Sequence, residues 1–288
     1  MPSRSFLRAM LVGAGVVLAA LLVFAAWRHF TAEPEAGAPA DFDPSAFVHR
    51  PKLDAPYVVT DYQVVDAMLA MAQVRPEDHV IDLGSGDGRI LIAAARSHGA
   101  RGLGVEIDPA RIREAEQNAR AAGVAHRVEF RRQDLFETPL AEADLVTLYL
   151  TPEVNLRLRP RILAQMRPGT RVVSHDFDMG EWRPDARQRI GSATILMWIV
   201  PARVAGRWTL DIGGRRAELE LQQRFQQLSG TLAGGGRSAR IEQGVVAGAR
   251  IRFVAETAGG RRVFEGRVEG DRIVPLQADA GWRAARAG

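Results

Sequence analysis

Three glycines in five residues, Gly84, Gly86 and Gly88, stand between the apolar run Val80-Ile81-Asp82-Leu83 and a helical segment that begins at Arg89. Glycine lacks the Cβ that would obstruct a sharp turn or a close-lying ligand, so this density marks a place where one or both occur. A buried strand that enters such a turn and leaves it as a helix opens a βαβ unit, and the free N–H groups at the helix start suit a nucleotide cofactor. Spacing narrows the choice. The dinucleotide fingerprint is G-x-G-x-x-G, whereas here the third glycine comes one residue early and Arg89 takes its place, which disfavours NAD. A triphosphate-binding loop needs Lys followed by Ser or Thr, and Lys52 is the only lysine in the chain.

Around this loop the apolar pattern alternates between two periods. Residues 79–83, 101–106, 128–131, 145–150, 170–174 and 193–200 read as strands, and residues 62–72, 89–97, 109–122 and 152–166 as helices. Asp108-Pro109 is a strong helix start, since Asp can cap free N–H groups and Pro suits the first helical position. The order predicts an α/β fold with a doubly wound, mostly parallel sheet, and residues 177–191 as a loop near its cofactor edge. From Gly206 the period becomes two, as in Ala217, Leu219 and Leu221 alternating with Glu218, Glu220 and Gln222, with glycine pairs at the turns. This predicts a small antiparallel β-sandwich or barrel over residues 205–288. Residues 207–212 fit either the end of the first sheet or the start of the second.

The N-terminal part has a different character. Residues 9–27 form a run of 19 without a charge, long enough as a helix to span about 28 Å. A membrane anchor over residues 1–30 is preferred to a cleaved signal peptide because the run exceeds a usual signal core. Residues 31–56, rich in Pro, Ala and acid, read as a linker, and residues 57–204 as the α/β domain. The predicted location is the inner (cytoplasmic) membrane, single-pass. Arg4 and Arg8 precede the run and Glu33, Glu35, Asp41 and Asp43 follow it, which by the positive-inside rule turns the domain away from the cytoplasm.

Composition removes several chemistries. The chain has no cysteine, so disulfides, iron–sulfur clusters and a catalytic thiol are excluded, and its six histidines show no metal-ligand spacing; no metal is expected. The net charge is +4, and the last 88 residues carry 15 arginines against 9 acids. Arginines that alternate along strands read first as a solvated face, and no nucleic-acid partner is expected.

Asp82 two residues before G-x-G-x-G resembles motif I of the class I S-adenosylmethionine (SAM)-dependent methyltransferases. The resemblance implies SAM as cofactor, with Asp82, Gly84, Ser85, Gly86 and Gly88 forming its loop and the Gly84–Gly86 backbone meeting the methionine tail. Glu106, ending the second strand, can accept hydrogen bonds from both ribose hydroxyls. Asp134 and Leu135 resemble the family's adenine-contacting pair, and Tyr57 lies in a segment that folds over the cofactor in related enzymes. The runs YLTPEVN (149–155) and PGTRVVSHDFDMGEW (168–182) resemble a bacterial group related to the mitochondrial lysine methyltransferases of ATP synthase subunit c and the adenine nucleotide translocase. Protein N-methylation of lysine is the activity this implies, with Tyr149, Asp176 and His175 on the acceptor side as catalytic candidates. Tyr149-Leu150-Thr151-Pro152 departs from the Asn/Asp-Pro-Pro-aromatic motif that binds nucleic-acid base amines. A small-molecule O- or N-methyltransferase and a non-catalytic envelope scaffold are the alternative readings, so the acceptor is either a protein or a small molecule.

Overall fold

The computed structural model describes residues 58–287. The expected anchor (1–30), the linker (31–56) and Tyr57 lie outside the described residues, and among those described no helix is long and apolar enough to cross a membrane.

Seven strands form the first sheet, in the order β3-β2-β1-β4-β5-β7-β6. The central ones are β1 (His79–Leu83), β2 (Arg101–Glu106), β3 (Val128–Arg132), β4 (Leu145–Leu148) and β5 (Arg171–His175), all paired in parallel. β7 (Ala193–Ile199) is antiparallel to β5, and β6 (Ala186–Ile190) pairs outside it. The order reverses between β1 and β4, so loops leaving these strands diverge and open a crevice at their carboxyl ends.

Successive side chains on these strands point to opposite faces, and both faces are covered. On one face Val80, Leu145 and Val173 pack against α1 (Tyr62–Met71), α2 (Arg89–His98) and α3 (Pro109–Ala121), through residues such as Met68, Leu91 and Ala115. On the other, Ile81, Val146 and Val172 pack against α4 (Pro152–Gln165) through Val154, Leu158 and Ile162. Each such fully buried aliphatic side chain contributes roughly 1.5–3 kcal/mol relative to exposure. α3 starts as expected, with the Asp108 carboxylate accepting from the Ala110 N–H at 2.8 Å and Pro109 in the first turn.

The expected loop 177–191 contains a strand. β6 presents Arg187, Gln188 and Arg189 to solvent, so it is held by backbone pairing to β7 and carries no apolar alternation that would announce it.

Strands β8 (Gly206–Ile212), β9 (Arg215–Arg224), β10 (Gln227–Gly234), β11 (Arg237–Arg240), β12 (Glu242–Ala247), β13 (Arg250–Thr257), β14 (Gly260–Glu269), β15 (Arg272–Pro275) and β16 (Trp282–Arg286) form a second sheet, antiparallel throughout. β9 pairs with both β8 and β10, which closes the sheet into a barrel-like ring. Residues 207–212 therefore belong here, between β9 and β16. The interior is filled by aromatic rings: Phe253 stacks on Phe264 at 4.8 Å, and Trp282 meets Phe264 edge-on at 5.3 Å. Several outer arginines face carboxylates, as in Arg252–Glu265, Arg261–Glu242 and Arg283–Asp211, which balances part of the basic excess. The barrel is joined to the first sheet by the Ala202 N–H donating to the Gly248 carbonyl at 2.8 Å and by Phe225 stacked on Trp182 at 6.1 Å.

Candidate active site

The ends of β1, β2 and β3 bring three carboxylates to one cleft: Asp82, Glu106 and Asp134 all line it, with Leu135, Tyr149 and Leu150. Asp82 is 2% exposed, and the Thr147 hydroxyl donates to its Oδ1 at 2.6 Å. Burial pushes the Asp82 carboxyl up to about 7; the Thr147 hydrogen bond opposes this, while negative Asp87 and Glu106 add to it. A carboxylate in this state has a deficit of positive charge beside it and is stabilised by an arriving cation.

The glycine loop is built for close approach at two positions. Gly84 and Gly86 have φ of 80° and 51°, and a Cβ on Gly84 would lie 3.0 Å from Leu150 Cδ2. Gly88 works differently from the expected contact to cofactor. It does not line the cleft; it caps α2 in the left-handed region, and a Cβ there would lie 2.5 Å from the Phe130 ring, so its smallness serves helix–sheet packing. The backbone amides of the loop have partners within the protein. The N–H groups of Gly84 and Ser85 donate to the Val105 carbonyl at 2.9 and 3.0 Å, and that of Gly86 to Glu106 Oε2 at 3.1 Å. These amides orient the loop, and the groups left to meet a ligand cation are oxygens, the Asp82 carboxylate foremost.

Glu106 is locked before any ligand arrives, since its Oε1 also accepts from the Ile107 and Asp108 N–H groups at 2.7 and 3.1 Å. Asp134 Oδ1 accepts from the Phe136 N–H at 2.7 Å, and half-buried Leu135 packs on the core beneath it. The Ser85 hydroxyl is buried without a partner among the described residues. A cationic tail, a vicinal diol and a flat purine fit this donor set: an anion at β1, a fixed acceptor at β2, and an acceptor beside an apolar face at β3.

The acceptor-side candidates gather at the ends of β4 and β5. The Tyr149 ring stacks on His175 at 3.9 Å, with Phe177 6.4 Å away. Of the three candidates only Tyr149 lines the cleft; His175 is 5% exposed behind it. Asp176 adopts a left-handed conformation, φ 63°, and is pinned by its Oδ1 accepting from the Thr194 N–H at 2.6 Å. Its Oδ2 lies 3.4 Å from His175 Nε2. Burial holds the His175 ring below its ordinary pKa against the pull of Asp176, so the ring is neutral, and burial with the Asp176 charge raises the Tyr149 phenol. Trp182 is fully buried between Trp198 and Phe225, away from the cleft.

Three contributors are given no site role by the sequence, although Asn155 ends the YLTPEVN run. Buried Asn155 on α4 donates to the Phe177 carbonyl at 3.1 Å and to Ser174 Oγ at 3.3 Å, tying the β5 loop to the helix after β4. Arg89 is paired with Asp87, and its Nη1 donates to the Thr60 carbonyl at 2.7 Å. Buried Thr60 reaches His175 across 115 residues of sequence. The one signal available was Arg89 in place of a fingerprint glycine.

Comparison with known proteins agrees with this geometry. The ANTKMT methyltransferase domain matches residues 82–186. A protein-lysine N-methyltransferase of Saccharolobus islandicus is 45% identical over 130 residues, covering 45% of this chain and 81% of that protein. The adenine nucleotide translocase lysine N-methyltransferase of Mus musculus is 32% identical over 155 residues, covering 54% of this chain and 66% of that protein. Among solved structures, an RNA methyltransferase from Salinibacter ruber in complex with S-adenosyl-L-homocysteine is 54% identical, with a TM-score of 0.50, and the match covers 51% of this chain and 96% of that one.

Proposed function

Because the chain belongs to the class I SAM-dependent methyltransferases related to the lysine methyltransferases of ATP synthase subunit c and the adenine nucleotide translocase, we propose that it methylates the side-chain nitrogen of a protein lysine. The observation that carries this reading is the continuity of the cleft. Asp82, Glu106, Asp134 and Tyr149 line one and the same cleft, in a chain 45% identical to a protein-lysine N-methyltransferase.

When bound, SAM supplies a methyl group already activated on a sulfonium, so this chain has to bind, align and keep water out. Asp82 opposes the ammonium of the methionine tail, Glu106 takes the ribose diol, and Asp134 with Leu135 takes the adenine. Tyr149 forms the acceptor wall, with His175 and Asp176 holding its ring and charge in place. A lysine ammonium has to lose a proton before its nitrogen can attack. The negative Asp176 behind the wall favours an approaching cation, and the proton leaves to solvent.

The uncharged run at residues 9–27 supports a further part of the reading, an anchor that confines the enzyme to the inner membrane and its acceptors to proteins at that surface. Reporter fusions at the C-terminus test which side the domain occupies: a cytoplasmic C-terminus supports the enzyme, and an exported one favours the scaffold reading.

Methyl-labelled SAM incubated with the full-length protein and membranes tests the substrate class. Label in the protein fraction, abolished by Asp82→Ala, supports the reading. Label in RNA, the class of acceptor for which the Salinibacter ruber relative is named, or in extractable metabolites overturns it.

A further inference from the structure

We propose that Arg89 and Thr60 are positioning residues through which the cofactor loop assembles the acceptor wall; this rests on the methyl-transfer reading above. Arg89 sits one residue beyond the glycine loop. Its Nε donates to both oxygens of Asp87, at 2.9 and 3.1 Å, and its Nη2 also pairs with Asp87 Oδ2. The remaining arm, Nη1, donates to the Thr60 carbonyl, and the guanidinium lies 5.1 Å over the Tyr62 ring. One planar cation thus joins the loop that borders the cofactor to the segment that enters α1.

That segment touches the acceptor wall directly. Thr60 Oγ1 lies 3.3 Å from His175 Nδ1. A proton on Nε2 is the form that suits the Asp176 carboxylate 3.4 Å away, and in the neutral ring Nδ1 is then an acceptor. In this form the Thr60 hydroxyl donates to it, and the bond both favours that tautomer and fixes the ring where it stacks on Tyr149. The contacts run without a break from Asp87 through Arg89, Thr60 and His175 to Tyr149 on one side and Asp176 on the other.

Residues 58–60 have no regular structure, and Val58 and Val59 line the cleft while 54% and 48% exposed. Two large apolar side chains facing solvent at the cleft gain from being covered when the cofactor is in place. Filling the loop and ordering the wall are in this way one event, which places cofactor binding ahead of productive acceptor binding.

Thr60→Val, Thr60→Ser and Arg89→Lys in the full-length protein test this, with three readouts. The first is calorimetric affinity for SAM set against label transfer to membrane protein at saturating SAM. Thr60→Val lowers transfer about tenfold, the size of one buried hydrogen bond, and by more than it lowers SAM affinity, and Thr60→Ser restores it. The second is the ring ¹⁵N spectrum of His175, which shifts in Thr60→Val and recovers in Thr60→Ser. The third is hydrogen exchange at the amides of residues 59–61, which quickens in Arg89→Lys and slows in the wild type when S-adenosyl-L-homocysteine is added. In the double variant the transfer losses do not multiply, because both changes cut one path. Wild-type transfer and an unchanged ring spectrum in Thr60→Val, or losses that multiply, overturn the proposal. If wild-type protein labels no protein at all, the substrate reading fails instead, and the ring spectrum and exchange still decide this one.

Discussion

The Thr147 hydroxyl donates to Asp82 Oδ1 at 2.6 Å between the adjacent strands β4 and β1, and it is the favourable contact that opposes the burial of that carboxylate. Asp82 titrates near 7 in the free protein, so acidification removes the anion that the cofactor's ammonium requires. SAM affinity is expected to fall about tenfold per unit as pH drops below 7, and binding near pH 6.5 releases a proton. Thr147→Val, which removes the opposing hydrogen bond, moves this limb to higher pH. Calorimetry between pH 5.5 and 8.5 in two buffers of different ionisation enthalpy measures both the affinity and the proton.

The same group makes a stability statement. Its folded pKa is raised, so the protonated form favours folding; the contribution is complete below about 4 and is lost as pH rises towards 7. Urea unfolding of the free protein should show this loss between pH 5 and 7, and Asp82→Asn should flatten it.

Gly88 and Gly84 separate packing from binding within one loop. Gly88→Ala puts a methyl group against the Phe130 ring at a left-handed position and is expected to cost roughly 1–3 kcal/mol or more in urea unfolding. Gly84→Ala carries the same left-handed strain (φ 80°) but meets only the tip of Leu150, at the cleft wall, so it should destabilise the fold less than Gly88→Ala does while weakening SAM binding.

Barrel closure depends on Gly230. A Cβ at this position would lie 1.9 Å from the Glu220 carbonyl oxygen, so Gly230→Ala forces β9 and β10 apart. The expected loss exceeds about 3 kcal/mol, read as a lowered urea midpoint.

Asn155→Ala removes the donor that holds the Phe177 carbonyl. Since the cofactor residues lie elsewhere, methyl transfer should fall about tenfold or more while SAM affinity stays within about threefold, measured by label transfer beside calorimetry.

What the sequence revealed follows from how local each feature is. The strand–glycine–helix at 79–98, the Asp108 cap with Pro109, and the alternation of Leu219 and Leu221 are set by neighbours a few residues apart, and all are found. β6 is hidden because its middle residues, Arg187 to Arg189, face solvent and backbone pairing to β7 holds them, with only Ile190 reaching the core. Gly88 resembles its neighbours in sequence, and only the position of Phe130 shows that its lack of a side chain serves packing. The links from Arg89 to Thr60 and from Thr60 to His175 join residues 29 and 115 apart, and no local pattern encodes such a pairing. The choice between a sandwich and a barrel was settled by one pairing, β9 with β10, whose signal in the chain is a single unobtrusive glycine at 230.

The most direct test of the central claim is amino-acid analysis of protein labelled by the full-length enzyme with methyl-labelled SAM. The account expects the label in the hydrolysate to elute as N-methylated lysine and to disappear with Glu106→Ala. Label recovered as a methyl ester, on another side chain or outside protein altogether would contradict it.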